Sequence, residues 1–264
     1  MPTLIYSLLD AAGPNITSNL IEKSGFKKSG GMESNVFSKG NMHLIGVNER
    51  LISMKDLDER FKADLLIFLS THKSESGLKC LTAHIPGNWA KAELGGEDKK
   101  ICFSHPSKLK TILKEISKLA KGRLDWPVYL EADHHGPFAN IPSIFVEIGS
   151  SESEWRNKVA GEIIAEAVIK GLMSEEKFEA AFCVGGGHYA PAFTKTILET
   201  ETAVSHVLPK YSVDEVDFET FKQGVERSIE PAEFVLLDWK GMNKEQRDKI
   251  IKFTDVLGLE YKRA

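Results

Sequence analysis

Five of the eight histidines in this 264-residue sequence stand at the end of, or just after, segments that read as strands. His72 follows DLLIFLS, His84 closes KCLTAHI, His134 and His135 follow PVYLEA, and His188 follows AFCVGGG. Imidazole ligates zinc and similar metals, and it carries protons near neutral pH. Ligands of open α/β sheets bind in the crevice beyond the carboxyl ends of the strands. Parallel strands would therefore bring these loops to one edge as a metal-binding or acid–base constellation.

The densest segment is Glu131-Ala132-Asp133-His134-His135-Gly136-Pro137. Period-two alternation puts Glu131 and Asp133 on one strand face, and Gly136-Pro137 turns the chain so that the adjacent imidazoles can converge or take separate roles. A polar turn with surface imidazoles is the plain alternative. Glu147 lies among apolar neighbours in SIFVEIG, where a carboxylate needs a histidine, a metal or a hydrogen-bond network. The glycines Gly185, Gly186 and Gly187 follow a buried strand, so their N–H groups can approach an anion or oxyanion, although a simple turn competes. They form neither a Rossmann fingerprint nor a P-loop. His84 also reads as a hydrogen-bonded core histidine, and Trp89 as either a stacking platform or a packing residue. Residues 70–76, with His72, Lys73 and hydroxyls, suit phosphate or sugar, or a solvated loop. His43, His105 and His206 read as structural. No G-x-S-x-G, H-E-x-x-H or cysteine-based zinc pattern occurs.

The elements that must position these groups alternate. Strands are expected at residues 3–8, 35–38, 43–47, 64–70, 79–85, 127–132, 143–148, 179–184, 203–208 and 233–238. Helices are expected at 16–23, 106–121, 154–172, 217–227 and 244–257, with a short polar tail after the last. The 106–121 helix carries Leu109, Ile112, Leu113 and Ile116 on one face. Lys110, Lys114 and Lys118 repeat on it at i, i+4, either as a solvated face or as a track for a phosphate backbone. Residues 86–100 form the longest stretch without periodicity, a length often associated with function. The whole predicts one α/β domain over residues 1–264, with a mixed, mostly parallel central sheet flanked by helices.

Composition bounds the function. With 34 Lys+Arg against 38 Asp+Glu the net charge is -4, which argues against a protein that coats nucleic acid or binds DNA, but not against one that grips an RNA end. Three scattered cysteines are not a disulfide framework and suggest a reducing cytoplasm. The first ten residues lack signal-peptide features, and the longest apolar run is too short to cross a membrane.

Together, THKSESG at 71–77, TAHIPGNW at 82–89, EADHHGP at 131–137, FVEIGS at 145–150 and GGGHYAP at 185–191 resemble the archaeal and plant type of D-aminoacyl-tRNA deacylase, also called D-tyrosyl-tRNA deacylase. Threonine is common in that family where Asp133 stands, which leaves the role of position 133 open. The resemblance implies a hydrolase that cleaves the ester between a D-amino acid such as D-tyrosine and tRNA. It also implies Zn2+, a fold akin to purine nucleoside phosphorylase and peptidyl-tRNA hydrolase, and the acceptor end of D-aminoacyl-tRNA as partner. Within it, catalysis is expected of Glu131, His134, His135 and His188. Substrate contact is expected of His72, Lys73, Asn88, Gly185, Gly186, Gly187 and Tyr189. Metal ligation is expected of His84, His134, His135, His188 and Glu147. The sequence does not divide ligand from base among Glu131, His84, His134, His135 and His188. A cytoplasmic monomer is expected. The rival readings are a nucleoside phosphorylase or hydrolase that binds phosphate in the Gly-rich loop, and a non-catalytic tRNA-binding protein.

Overall fold

A computed structural model describes residues 1–29, 31, 34–74 and 77–264. Glu75 and Ser76, part of the 70–76 segment, lie outside the described residues. The strands are β1 (Pro2–Ser7), β2 (Lys27–Lys28), β3 (Val36–Lys39), β4 (Met42–Val47), β5 (Leu65–Lys73), β6 (Cys80–His84), β7 (Gly87–Asn88), β8 (Lys100–Ile101), β9 (Val128–Leu130), β10 (Ser143–Ser150), β11 (Ala180–Val184), β12 (Ala203–Leu208), β13 (Ala232–Leu237) and β14 (Glu260–Arg263). The helices are α1 (Ala12–Lys23), α2 (Leu57–Arg60), α3 (Pro106–Ala120), α4 (Glu152–Trp155), α5 (Lys158–Met173), α6 (Pro191–Glu199), α7 (Lys210–Val213), α8 (Phe218–Glu226) and α9 (Lys244–Val256).

The α/β class with mixed, mostly parallel strands and flanking helices is as expected, but the strands form two main sheets. One has eight strands in the order β2-β3-β4-β1-β5-β10-β6-β9, and the other has four in the order β12-β11-β13-β14. β1, β4, β5 and β10 run parallel, whereas β6 runs antiparallel to β10. The apolar run of β5 lies between two parallel neighbours and is buried on both faces, as its composition requires. The second sheet is parallel throughout. Its alternation splits the core: Ala181, Cys183, Phe234 and Leu236 join the main core, and Phe182, Val184, Val235 and Leu237 build a second one. Among the described residues no ladder joins the two sheets. The chain crosses from β9 to β12 through Ala132 and Asp133, where Asp133 N–H donates to Val207 O at 3.0 Å.

Local signals explain most departures from the expected elements. α1 begins before Gly13-Pro14, because proline in a first helical turn forfeits no hydrogen bond. The helix expected at 154–172 breaks into α4 and α5, and the Asn157 side chain accepts Ala160 N–H at 3.0 Å to cap the second. The C-terminal tail is not free, since β14 pairs with β13.

The lysine stripe on α3 is not a track for phosphates. Lys110 is fully buried and donates to Ile197 O at 2.7 Å, Thr200 O at 2.6 Å and Thr202 O at 3.0 Å. It thereby closes the carboxyl end of α6, where carbonyls are orphaned and the helix dipole favours a cation. Lys108 serves α5 in the same way through Leu172 O and Ser174 O. Lys118 pairs with Glu115 at 3.2 Å, and the Lys114 ammonium lies 5.6 Å from the Phe178 ring centroid.

Candidate active site

Strand register sets the floor of the site. Glu147 sits opposite Ser70 on one side and Thr82 on the other, while His72 faces Gly149 and His84 faces Phe145. Alternation then puts His72, His84 and Glu147 on one face of the sheet. Glu131 joins them as the strand direction of β9 continues, its N–H donating to Ala83 O at 3.1 Å. The histidines therefore meet over a sheet face and not at a shared carboxyl edge, because β6 runs opposite to β5 and β10.

Glu131, 0% exposed, is the hub. Its Oε1 lies 3.0 Å from His72 Nδ1 and 3.7 Å from His188 Nε2, and its Oε2 lies 3.2 Å from His84 Nδ1. These are ion-pair distances without hydrogen-bond alignment: among the described residues neither oxygen of Glu131 and neither ring nitrogen of His84 has a hydrogen-bond partner. Burial raises the Glu131 carboxyl above its ordinary value, against the pull of His72 and His188. Burial also pushes His84 down to about 3. His72 behaves oppositely. Burial works against its charge, but the Glu147 hydrogen bond and the Glu131 carboxylate prevail and lift it to about 10. Its Nε2 stands 3.0 Å from the Tyr189 hydroxyl, which an imidazolium donates to.

His134 and His135 face this floor from the turn that leaves β9. His134 Nδ1 donates to Ala132 O at 2.8 Å, and His135 Nδ1 donates to Gly136 O at 2.5 Å. Burial followed by neighbouring imidazoles holds His134 well below its ordinary value, and burial first, then His84, pushes His135 down to about 3. Both rings are thus neutral, with the proton fixed on Nδ1 and the Nε2 lone pair free. A backbone carbonyl that fixes the tautomer in this way is the usual support of a metal-ligating histidine. His135 adopts φ +47°, and Gly136 N–H donates to Leu94 O at 3.0 Å. A Cβ on Gly136 would lie 2.2 Å from Gly96 N, so glycine is required where the 89–99 loop presses on the turn.

Nitrogen and oxygen atoms of His84, His134 and His135, of His72, Glu131 and His188, and of His84, Glu131 and Glu147 form three overlapping groups, each within 4.8 Å. Neutral imidazoles beside carboxylates are a zinc donor set, and the orphaned atoms of His84 and Glu131 are what a cation would satisfy. The residues fit the metal that the resemblance implies.

Other residues are placed differently from expectation. Asp133 leaves the face it was to share with Glu131, because the strand ends at Leu130 and its carboxylate turns to the second sheet. There it meets His206 Nδ1 at 2.6 Å and Val207 N–H at 2.9 Å. His206 is structural as expected, but it is tied to the segment that carries the paired histidines, and nothing in the apolar AVSHVL strand signals this. The Asn88 amide donates to Gly95 O at 2.9 Å and Glu97 O at 3.4 Å, so it organises its own loop. Gly185 N–H is spent on Leu208 O at 2.9 Å, and a Cβ on Gly186 would lie 3.5 Å from an Asp238 oxygen, a poor setting for a phosphate. Lys73 is exposed at the end of β5. Trp89, 2% exposed, packs on Phe182 and offers no free face for stacking.

Comparison with known proteins shows the family. The family model described as D-aminoacyl-tRNA deacylase matches residues 59–262. A Pyrococcus furiosus protein named D-aminoacyl-tRNA deacylase is 40% identical over 99% of both chains. One of the same name from Methanosarcina acetivorans is 38% identical over 98% of this chain and 90% of its own. A crystal structure described as a conserved protein of unknown function superposes with a TM-score of 0.93 at 28% identity, covering 100% of this chain and 95% of that one. On this evidence the chain belongs to the D-aminoacyl-tRNA deacylase family.

Proposed function

We propose that this protein hydrolyses the ester between a D-amino acid, such as D-tyrosine, and tRNA, releasing both for reuse. The observation that carries the reading is the buried Glu131, surrounded by His72, His84 and His188 with both oxygens lacking hydrogen-bond partners among the described residues, next to two tautomer-fixed imidazoles. His84, His134 and His135 would hold Zn2+ through ring nitrogens, with Glu147 and His188 close by. Zinc, when bound, supplies Lewis acidity that lowers the pKa of water and polarises an ester carbonyl.

The chain's own groups do the rest. Glu131, its carboxyl raised by burial, takes a proton from the attacking water at Oε1 or Oε2. Burial holds His188 below its ordinary value, so the neutral ring, 34% exposed on the open side and with Nε2 3.7 Å from Glu131 Oε1, relays the proton that Glu131 has taken from water to the departing ribose oxygen. The His72 imidazolium holds Glu131 from behind and keeps Tyr189 in place through its hydroxyl. The Gly187 N–H donates no hydrogen bond among the described residues and stands clear of Asp238, which leaves it to the developing oxyanion. The partner is the acceptor end of D-aminoacyl-tRNA, met by a cytoplasmic monomer; the free, buried state of Cys80, Cys102 and Cys183 supports a reducing compartment. No helix among the described residues is long and apolar enough to cross a membrane. The mixed, mostly parallel sheet supports kinship with the nucleoside phosphorylase and peptidyl-tRNA hydrolase folds.

The test is release of free tyrosine from D-Tyr-tRNA and L-Tyr-tRNA, with and without chelator. Release from the D-substrate alone is expected, together with loss on chelation, recovery on adding zinc, and loss in His134→Ala and His135→Ala. No release from D-Tyr-tRNA would sink the reading. Chelator-resistant release would keep the hydrolase and remove the metal.

A further inference from the structure

A cavity of about 480 Å³ opens onto His134 and His135. Two of its lining side chains are apolar and well exposed: Leu94, 58% exposed, on the 89–99 loop, and Tyr211, 56% exposed, on α7. Trp89 lines the same cavity, but its indole N–H donates to Val207 O at 3.1 Å and it forms part of the fixed wall. The backbone beneath Tyr211 is held in place. Lys210 N–H donates to Gly186 O at 3.0 Å, and the Gln246 amide donates to Lys210 O at 3.2 Å. The Tyr211 hydroxyl makes no hydrogen bond among the described residues. An aromatic ring on a fixed backbone, left open to solvent at the mouth of a cavity, is a surface prepared for a planar partner.

We propose that Tyr211 is the platform on which the terminal adenine of the tRNA stacks. The proposal rests on the deacylase reading and deepens it. Geometry selects the adenine over the amino-acid side chain. The ester must reach the imidazoles at the inner end of the cavity, so the acyl group goes inward. The nucleotide, joined to the rest of the RNA, stays at the mouth, where Tyr211 lies. Stacking on an aromatic ring needs no hydrogen-bond code and fits a base present at the end of every tRNA.

The test joins kinetics to binding. Tyr211→Ala should raise KM for D-Tyr-tRNA on the order of 10- to 100-fold, the range that loss of one base–aromatic stack gives, with kcat nearly unchanged. The same rise is expected for D-Ala-tRNA, whose side chain has no ring. Tyr211→Phe and Tyr211→Trp should stay close to the wild type. The trinucleotide CCA, titrated by calorimetry, should lose affinity for Tyr211→Ala in parallel. Unchanged KM and CCA affinity in Tyr211→Ala would overturn the proposal. So would a loss confined to D-Tyr-tRNA, or a Tyr211→Phe variant as impaired as Tyr211→Ala, which would assign the role to the hydroxyl. Tyr211-dependent binding of CCA by a wild type that releases no amino acid would uphold the platform and reject the hydrolase reading.

Discussion

Replacing Asp133 tests how the paired histidines are anchored, and the outcome follows from counting hydrogen-bond donors. Asp133 and His206 are buried, 3% and 0% exposed. His206 Nε2 stands 2.8 Å from Arg227 O, an acceptor, so Nε2 carries a proton. One more proton lies between His206 Nδ1 and Asp133 Oδ2, 2.6 Å apart, and Asp133 Oδ1 accepts Val207 N–H at 2.9 Å. Burial raises the Asp133 carboxyl, against the opposing pull of His206. That single proton, whichever of the two atoms carries it, satisfies both. Asp133→Asn reproduces that pattern, its amide donating to Nδ1 and its oxygen accepting from Val207, and should cost about 1 kcal/mol or less. Asp133→Ala strands Val207 N–H and one His206 nitrogen in a dry site. At about 1–3 kcal/mol for each orphaned group, the loss is roughly 4 kcal/mol. Urea unfolding of chelator-treated protein measures both changes without the added stability of bound metal. Zinc affinity of the Ala variant should also fall about 10- to 100-fold as the turn loosens. Equal destabilisation by Asn and Ala would refute the shared-proton reasoning, and a loss below about 1 kcal/mol for Ala would refute the cost assigned to orphaned groups.

Two further predictions concern the frame around the site. Lys110→Met leaves three carbonyls at the end of α6 without their donor but also removes a buried charge, whose pKa burial and then Lys114 hold down at about 8. The net should be a loss of about 2 kcal/mol in denaturant unfolding, and no loss would show that solvent replaces the cap. Glu230 is pushed up by burial but held down at about 2 by His105, Lys177 and the Ser107 N–H at the start of α3. Its folded value lies below the unfolded one, so its stabilisation is complete above about pH 4.5 and disappears as pH falls toward 2. On the order of 2 kcal/mol of acid sensitivity should vanish in Glu230→Gln, read from unfolding midpoints between pH 5 and pH 2.5; an unchanged acid slope would assign that sensitivity to other carboxylates.

Local pattern determined the class of the fold and where most strands and helices lie, because apolar runs, period-two alternation and helical spacing are properties of neighbouring residues. It also marked five histidines and two glutamates as chemically unusual, since such side chains at strand ends or inside apolar runs need partners. What pattern could not decide was pairing. The orientation of β6 against β10 turns an edge constellation into one laid over a sheet face, and only contacts between residues distant in sequence set that orientation. The division into two sheets sent Asp133 away from Glu131 and toward His206, buried Lys110 under α6, and closed Trp89 into a wall. Tyr211 had no motif to announce it. Its place at the cavity mouth comes from α7 docking beside the glycine turn, where Lys210 N–H donates to Gly186 O. Sequence, then, named the chemistry, because chemistry belongs to residue types; tertiary structure chose which groups share it, because burial and distance belong to the packed whole.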